Sequence, residues 1–480
     1  MKRSLTLFIF AFGLAVSGVA EPPELSPRDQ TIRQIMMTPE FMLERDYESA
    51  ENNIREVLRG SPKNILALQQ LAHLLVVRGR EEEAVPVREK VKSLYPKASL
   101  PERCYIDITT YPFPKGKESK LQPAEVREMA DKNPDDYLAN YVAGLYFNNL
   151  PDAELTCLYL ERAVKLAPWL GQAHNLLGYT YTYLRRYDKA VSHLREYARI
   201  YPDRANPHDS LGESYFMTGR YDESITEFQA ALAINPSFTA ARLHLIDAYQ
   251  AKGQYTPAKQ QALKIWEKAE SDDQKVVALA FLSEIFRHRG DLAHARSKAE
   301  AILALKPESN AGFFQLGMAL WQMGRWDELQ QVLDRWAVIL NRKSHQNSSG
   351  KKWSSSDYDF LLAKLNASLG NFNTAIELFQ KINTQILIPH QSIDVKHELA
   401  EAFFAMGDSK TTLGTLNQIL EINPNYVPSL SLRARLYASK SKPDLAKKDA
   451  KRCLDILRDA DRSSPQYVEV INLYNQLQKR

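Results

Sequence analysis

Cysteine is scarce in this sequence, which contains only Cys104, Cys157 and Cys453 among 480 residues. Three cysteines form at most one disulfide and leave an odd thiol, so the sequence excludes a fold held by a disulfide framework. Packing of apolar side chains must hold the chain together instead. Cys157 and Cys453 fall within stretches predicted to be helical and are expected to pack. Cys104 lies in an irregular stretch and is expected to be the more exposed thiol.

Neither sign of charge dominates the sequence. Its 62 lysines and arginines stand against 58 aspartates and glutamates, which gives a formal net charge of +4. General binding of nucleic acids or of anionic membranes needs a basic face. The balance of charge therefore argues against both kinds of partner.

Long apolar runs are missing from the sequence beyond its N-terminus. At the N-terminus itself, the apolar run Leu5–Val16 follows Lys2 and Arg3. This run is shorter than the roughly 20 residues that span a membrane, and small residues at Gly18 and Ala20 suit a signal peptidase. We predict an export signal cleaved after Ala20, hence a periplasmic or secreted protein without a membrane span. The alternative is an uncleaved membrane anchor.

Motifs for catalysis are also missing, because no glycine-rich phosphate loop, nucleophile elbow or marked carboxylate pair is present. The nearest candidate is the pentapeptide His397–Glu401. Zinc proteases need histidine at both ends of such a helical pentapeptide so that two nitrogens reach one metal, but Glu401 occupies the second place. We predict an ordinary helix there, and a non-enzymatic chain with no catalytic residue, no metal and no cofactor.

Prolines, by contrast, recur with a fixed period of 34 residues at Pro134, Pro168, Pro202 and Pro236. Such a period is typical of stacked units of two helices, each unit being one helix–turn–helix and the turn to the next. The proline ends the second helix because it has no N–H to continue the hydrogen-bond ladder. The sequence therefore predicts a helical repeat array.

Each unit can be numbered so that its proline stands at position 32, and small and large residues then recur at fixed positions. In the unit 205–238 these residues are Leu211, Gly212, Tyr215, Phe228 and Ala231. The pattern resembles the tetratricopeptide repeat over roughly 65–460, most strongly over 137–238. The resemblance implies an all-α, right-handed superhelical solenoid of about 11 to 12 repeats with a C-terminal capping helix.

Histidine replaces the family's usual tryptophan in two consecutive units, at His174 and His208, and Asn140 replaces it in the unit before. Together with His244 in the next unit, these residues suggest two interpretations. The favoured one is substitution for a large packing residue, and the other is a pH-sensitive seam.

The repeat frame divides the chain into a leader, two arrays and their interruptions. These are a signal peptide at 1–20, degenerate repeats at 21–98, a broken repeat with a proline-rich excursion at 99–136, a core array at 137–343, a polar insertion at 344–355, a C-terminal array at 356–460 and a capping helix at 461–480. The first helix of the broken repeat would be Cys104–Lys115. Its Pro112 and Pro114 favour an extended segment over a helix.

The resemblance implies that the first helix of each unit lines a concave groove through positions 2, 5, 9 and 12. These positions hold polar and aromatic residues early in the array and an acidic strip later; the residues are Tyr141, Asn175, Tyr179, Asp209, Glu213, Asp247 and Glu284. The lysine and asparagine set with which some family members clamp a carboxylate is missing, which disfavours an acidic C-terminal tail as ligand. The alternative is that these charges form only a solvated face.

One helix, predicted over 310–323, is apolar on nearly every side. Its groove positions are Phe314, Met318 and Trp321, in addition to its packing positions. Such a helix must be buried all round. We expect a partner segment to cover it in the groove, the alternative being another element of this chain.

These observations predict a non-catalytic protein-interaction scaffold, exported, that binds a peptide or a partner helix in its groove. The ligand segment would be polar or basic with an apolar anchor. The alternatives are an accessory or targeting subunit of a separate enzyme or of envelope export machinery, and a hydrolase that uses the His397 segment or the broken repeat.

Overall fold

The computed structural model describes residues 25–109, 121–150, 152–346, 356–385 and 392–479. Within these ranges the chain is helical and contains no strand. The α-helices are α1 Pro27–Leu43, α2 Tyr47–Gly60, α3 Ile65–Val77, α4 Glu81–Leu94, α5 Leu100–Thr109, α6 Pro123–Lys132, α7 Tyr137–Asn149, α8 Ala153–Leu166, α9 Gly171–Tyr183, α10 Tyr187–Ile200, α11 Ala205–Met217, α12 Tyr221–Ile234, α13 Thr239–Ala251, α14 Tyr255–Glu267, α15 Asp272–His288, α16 Leu292–Leu305, α17 Asn310–Gln322, α18 Trp326–Gln346, α19 Ser356–Ser368, α20 Phe372–Gln385, α21 Ile393–Ala405, α22 Ser409–Ile422, α23 Val427–Ser439, α24 Pro443–Ile456 and α25 Pro465–Gln478.

Successive helices pack in pairs, and the recurring small residues explain how closely the two helices of a pair approach. A Cβ added at Gly212 on α11 would lie 2.6 Å from Phe228 Cε1 on α12, and one added at Gly178 on α9 would lie 2.6 Å from Leu194 Cδ2 on α10. Each recurring proline stands two residues after its second helix, as Pro168 does after α8. The predicted all-α solenoid of paired helices is confirmed.

The capping helix also forms, as α25. The Ser464 side chain caps its N-terminus by accepting from the Tyr467 amide at 3.4 Å. Helix α18 runs to Gln346, so the start of the predicted polar insertion is helical, and 347–355 lie outside the described residues. The predicted leader, 1–20, lies outside them as well.

The broken repeat differs from the prediction, because its first helix exists as α5. This helix ends at Thr109, before the two prolines, which lie outside the described residues. Cys104, Tyr105 and Ile106 are all buried in the core that α5 shares with its neighbours. The helix begins four residues before Cys104, at Leu100, whereas the sequence interpretation began it at Cys104. These four residues supply the first turn of α5.

The prediction that Cys104 is the more exposed thiol is wrong. Its side chain is 1% exposed because α5 packs it into the core, and burial raises its pKa to about 11. Cys157 and Cys453 are buried, as predicted.

The C-terminal part of the solenoid closes on itself along a line of contacts between distant turns, which we term the C-terminal seam. The turn after α11 meets the turn after α22, where the Asn425 side chain donates to the Gly219 carbonyl at 2.9 Å. The turn after α13 meets the turn after α24, where the Asp461 amide donates to the Gly253 carbonyl at 2.9 Å. In both cases the touching segments lie eleven helices apart.

An N-terminal seam joins α1 to the turn between α10 and α11. Arg204 forms an ion pair with Glu44, and the Asn206 amide donates to the same carboxylate at 3.0 Å. Glu40 accepts hydrogen bonds from Tyr197 and Gln172. Two closed turns of the superhelix follow from these two seams.

Candidate functional site

A cavity of about 770 Å³ lies inside the turn that the C-terminal seam closes, and we term it the chamber. One wall carries Glu213, Asp247 and Glu284 from α11, α13 and α15. The opposite wall carries Asp394 from α21 and Gln466 from α25. The volume falls within the range of sites that hold small ligands or short segments, roughly 300 to 1,000 Å³.

Aromatic and apolar side chains fill the spaces between the polar groups of the chamber wall. Phe314 and Met318 project from α17, Tyr255 from the start of α14, and Tyr426 from the turn before α23. The chamber is thus neither a purely apolar pocket nor a solvated groove. It combines aromatic surface with several carboxyl groups.

Two of these carboxyl groups, those of Asp247 and Glu284, have no hydrogen-bond or ion-pair partner among the described residues. Burial raises the pKa of Asp247 to about 8, and the neighbouring Glu284 charge adds to the shift. Burial likewise raises the pKa of Glu284, against the lowering effect of Arg287. Both carboxyls therefore resist ionisation.

Burial also raises the pKa of Asp394 on the opposite wall, although its carboxylate accepts a hydrogen bond from Tyr426. The charge of Asp394 acts on both Asp247 and Glu284. Three carboxyl groups therefore repel one another across the chamber.

One group of three residues among those described could geometrically hold a metal ion, namely Asp209, Glu213 and His244. His244 Nδ1 lies 2.9 Å from Asp209 Oδ1, and its Nε2 lies 3.6 Å from Glu213 Oε1. Burial lowers the pKa of His244, but the hydrogen bond and the charge of Asp209 outweigh it and raise that pKa to about 9. The two carboxylates thus favour the imidazolium form of this ring at neutral pH.

The Tyr179 hydroxyl extends this network by donating to Glu213 Oε2 at 2.6 Å, and its oxygen lies 3.1 Å from Ser210 Oγ. Asp209 and Tyr179 thus support the chamber edge by positioning Glu213 and His244. Their role as partner-binding residues stays a prediction.

The predicted groove residues fall in three places. Those on the chamber wall are Glu213, Asp247, Glu284, Phe314 and Met318. Tyr141 is instead 4% exposed within the N-terminal core, and Asn175 is half-buried on α9. The structure therefore brings together the later members of the predicted set and separates them from the earlier ones.

Trp321 does not face the chamber, because it packs against α19. Its Nε1 donates to Ser368 Oγ at 2.9 Å, and the Lys364 ammonium lies 3.8 Å from its ring centroid. Phe314 contacts the Phe360 ring of the same helix, with 6.2 Å between centroids. The chain's own helices thus supply most of the cover for α17, which corrects the expectation that a partner segment supplies it.

His174 packs within the array. His174 Nδ1 lies 3.1 Å from His193 Nδ1, and burial followed by the charge of His193 lowers the pKa of His174 to about 4. His397, from the zinc-protease-like pentapeptide, lies 3.9 Å from Glu401, which pairs with Arg435. The packed, neutral ring of His174 favours the interpretation that histidine substitutes for a larger packing residue at that position.

Comparison with known families agrees with this architecture. A tetratricopeptide-repeat family model matches residues 171–204, and a second model of the same description matches 215–280. The chain is a tetratricopeptide-repeat protein. The matched residues include α9, α10 and α12 to α14, and of the three acidic residues on that chamber wall they include Asp247.

The tetratricopeptide-repeat protein 21B of Xenopus laevis is similar to this chain, with 27% identity over 190 residues. The match covers 38% of this tetratricopeptide-repeat protein and only 13% of that relative. Among solved structures, yeast Tom70 matches 95% of the chain and 96% of its own length at 11% identity and a TM-score of 0.38. A tetratricopeptide-repeat protein from Parabacteroides merdae matches 57% of the chain and 98% of its own at 12% identity and a TM-score of 0.36.

The opposite wall of the chamber escaped the sequence interpretation of this tetratricopeptide-repeat protein. In the unit 393–426, groove positions 2 and 5 hold Asp394 and His397, so the frame itself contained the signal. The repeat frame does not predict, however, that the superhelix closes and so brings α21 and α25 opposite α13 and α15. None of the described helices is long and apolar enough to cross a membrane.

Proposed function

We propose that this tetratricopeptide-repeat protein is an exported scaffold that receives a short segment of a partner protein in the chamber. Tetratricopeptide repeats are protein-interaction modules, and the chain is a protein-interaction scaffold by virtue of its repeats. The observation that supports the chamber as the binding site is the convergence of five predicted groove residues on one cavity.

The C-terminal seam favours a short segment over a long helix laid along an open groove. Contacts at Gly219 and Gly253 close the turn on one side. A chain end or a projecting loop could enter a chamber of about 770 Å³ without opening these contacts. Phe314 and Met318 would supply the apolar anchor, and the carboxyl groups would select the polar end of the segment.

Export remains part of the proposal and rests on the leader at 1–20. Cleavage after Ala20 would give a mature chain that begins at Glu21. N-terminal sequencing of the protein recovered from the producing cells tests this directly. A chain that retains Met1–Ala20 would contradict export by a cleaved signal.

Site-specific photocrosslinking tests the chamber as the binding site. A photoreactive amino acid would replace Met318 on one wall of the chamber or Gln466 on the other. The control carries the same amino acid in place of Val338, which is 69% exposed on the outside of α18. We expect the same partner protein to be crosslinked from 318 and from 466 but not from 338. Crosslinking from 338 alone would contradict the proposal and support an accessory subunit that docks through its outer surface.

A further inference from the structure

We propose that the chamber binds the guanidinium group of an arginine side chain on the partner, between Asp247 and Glu284. This inference rests on the proposed function, since it names the chemistry of the segment that enters the chamber. Unlike the acidic tails expected of a carboxylate clamp, the segment would carry a positive charge. The argument starts from the polar groups in the chamber that lack partners.

Most of the unpartnered polar groups that we identify in the described part of the chamber wall are hydrogen-bond acceptors, the exception being Arg287 Nε. The carboxyl groups of Asp247 and Glu284 have no partner there. Gln315 is only 7% exposed and lines the chamber from α17, and its Oε1 has no hydrogen-bond partner. Gln322 Oε1, about two turns further along α17, is also without a partner.

Buried polar groups in folded proteins almost always have hydrogen-bond partners. Half-buried carboxyl groups and buried amide oxygens without donors therefore suit a ligand that is rich in donors. Guanidinium offers five N–H donors in a planar fork and keeps its charge at all relevant pH values. An ammonium offers three donors on a single nitrogen, and it satisfies separated acceptors less well.

Charge in the chamber favours a cation as well. Six carboxyl groups line it, those of Glu213, Asp247, Glu284, Asp394, Glu398 and Glu469. Internal cations serve only some of them, because Lys364 pairs with Glu398 and His244 pairs with Glu213. Arg287 lies near Glu284 but makes no described hydrogen bond with it, and its Nε has no partner.

Aromatic rings complete the site for a guanidinium. Phe314, Tyr255 and Tyr426 line the same chamber, and a guanidinium over an aromatic face is stabilised by the ring quadrupole. The protein already uses this combination at the N-terminal seam. There the Arg204 guanidinium lies 4.4 Å from the centroid of the Phe41 ring and pairs with Glu44.

Binding of a guanidinium would be linked to proton release. Asp247 faces Glu284 from α15, His244 from its own helix and Asp394 from α21, and its pKa of about 8 leaves it largely protonated at neutral pH. A cation beside the carboxyl group favours the ionised form. Affinity is therefore expected to rise between pH 6 and pH 8, with release of a proton on binding.

Binding of capped tripeptides to the mature chain 21–480 tests the inference by isothermal titration calorimetry. The three probes are Gly-Arg-Gly, its lysine counterpart and its neutral citrulline counterpart. We expect the arginine peptide to bind most tightly. The citrulline peptide is expected to bind more than roughly tenfold more weakly, because its neutral side chain leaves the chamber carboxylates without a charged partner. Equal affinities for arginine and citrulline would overturn the inference with no variant needed.

A charge-matched pair of variants locates the site. Asp247→Asn with Glu284→Gln removes two carboxylates from the chamber, and Glu267→Gln with Glu270→Gln removes two from the exposed surface of the same region. We expect the first variant to lose more than roughly tenfold in affinity for the arginine peptide and the second to bind as the parent does. Equal losses in both variants would mean nonspecific attraction and would overturn the site.

The two proposals fail in different ways. A partner that is crosslinked from 318 equally well in the parent and in the Asp247, Glu284 variant would leave the scaffold function standing and overturn the guanidinium site. Selective binding of the arginine peptide without any protein crosslinked from 318 or 466 would leave the guanidinium site standing and overturn the proposed function.

Discussion

The two closed turns of the superhelix differ in what lies along their axis. In the N-terminal turn, groove residue Tyr141 is 4% exposed, and nearby Tyr105 accepts a hydrogen bond from Gln70 in the same core. In the C-terminal turn, groove residues Asp247 and Glu284 line a chamber. Tyr141 is thus packed into the core of the N-terminal turn, whereas Asp247 and Glu284 border open space in the C-terminal turn.

The buried acids of the two turns show the same contrast. Glu40 in the N-terminal turn accepts hydrogen bonds from Tyr197 and Gln172, although burial still raises its pKa to about 7. Asp247 in the C-terminal turn has no such donors among the described residues. A buried acid with donors contributes to structure, and a buried acid without them is a candidate for binding a ligand.

The largest expected effect is that of Asp247→Asn on the free energy of unfolding. The pH dependence of this effect tests whether the Asp247 carboxyl lacks the donors that Glu40 has. The ordinary aspartate pKa is 3.8, whereas that of folded Asp247 is about 8. Between these values the folded state binds more protons than the unfolded state, so the free energy of unfolding falls as pH rises. We expect the variant to match the parent near pH 4 and to exceed it by on the order of 4 kcal/mol at pH 8.

Urea denaturation at both pH values measures this difference, in the absence of any peptide. Glu267→Gln, an exposed carboxyl on α14, is the control and is expected to change stability by less than about 0.5 kcal/mol at either pH. A parent that is as stable as the Asp247 variant at pH 8 would show that the carboxyl is compensated within the chamber.

The second prediction breaks the N-terminal seam. Arg204→Ala leaves Glu44, whose side chain is 1% exposed, without its cation. Breaking a buried ion pair by removing one partner costs roughly 3 kcal/mol or more, because the remaining charge stays buried. We expect that loss in the free energy of unfolding, together with faster amide hydrogen exchange in α1.

The surface ion pair between Arg199 and Glu196 supplies the matched control, since Arg199 is well exposed on the neighbouring helix. Arg199→Ala is expected to cost less than about 1 kcal/mol, as surface ion pairs do. Exchange in α1 that does not change in Arg204→Ala would contradict the role of the N-terminal seam.

The repeat frame was sufficient to predict the fold and much of one chamber wall from sequence. Period and residue size at fixed positions are local properties, so Gly212 opposite Phe228 is readable without a structure. The positions of Asp247, Glu284 and Met318 on inner helix faces followed from the same frame. Their joint role in binding stays a prediction.

Closure of the superhelix could not be read in this way, because it depends on small rotations that accumulate over many units. The contact between Gly219 and Asn425 joins residues 206 positions apart. Trp321 and Cys104 were misplaced for related reasons. The exposure of Trp321 depends on the neighbouring helix α19, and that of Cys104 depends on the helix α5 of the broken repeat, and the period gives the position of neither helix.

The third prediction breaks the C-terminal seam at Gly219, whose φ is +74°. Gly219→Ala strains the left-handed backbone and also brings a Cβ into contact with Asn423 across the seam. Gly370 has a φ of +84° but open space around its Cβ position, so Gly370→Ala carries the backbone strain alone. The expected costs are about 2 kcal/mol for Gly219→Ala and about 1 kcal/mol for Gly370→Ala.

The difference between the two glycine variants isolates the seam contact, because the strain in the left-handed backbone is common to both. Urea denaturation gives the two costs, and small-angle X-ray scattering shows whether the C-terminal turn has opened, through an increased radius of gyration in Gly219→Ala only. Equal costs and equal scattering curves would mean that the seam contributes no net stability. The chamber would then be held closed by the packing of successive helices alone, and the C-terminal turn would differ from the N-terminal turn in its contents but not in how it closes.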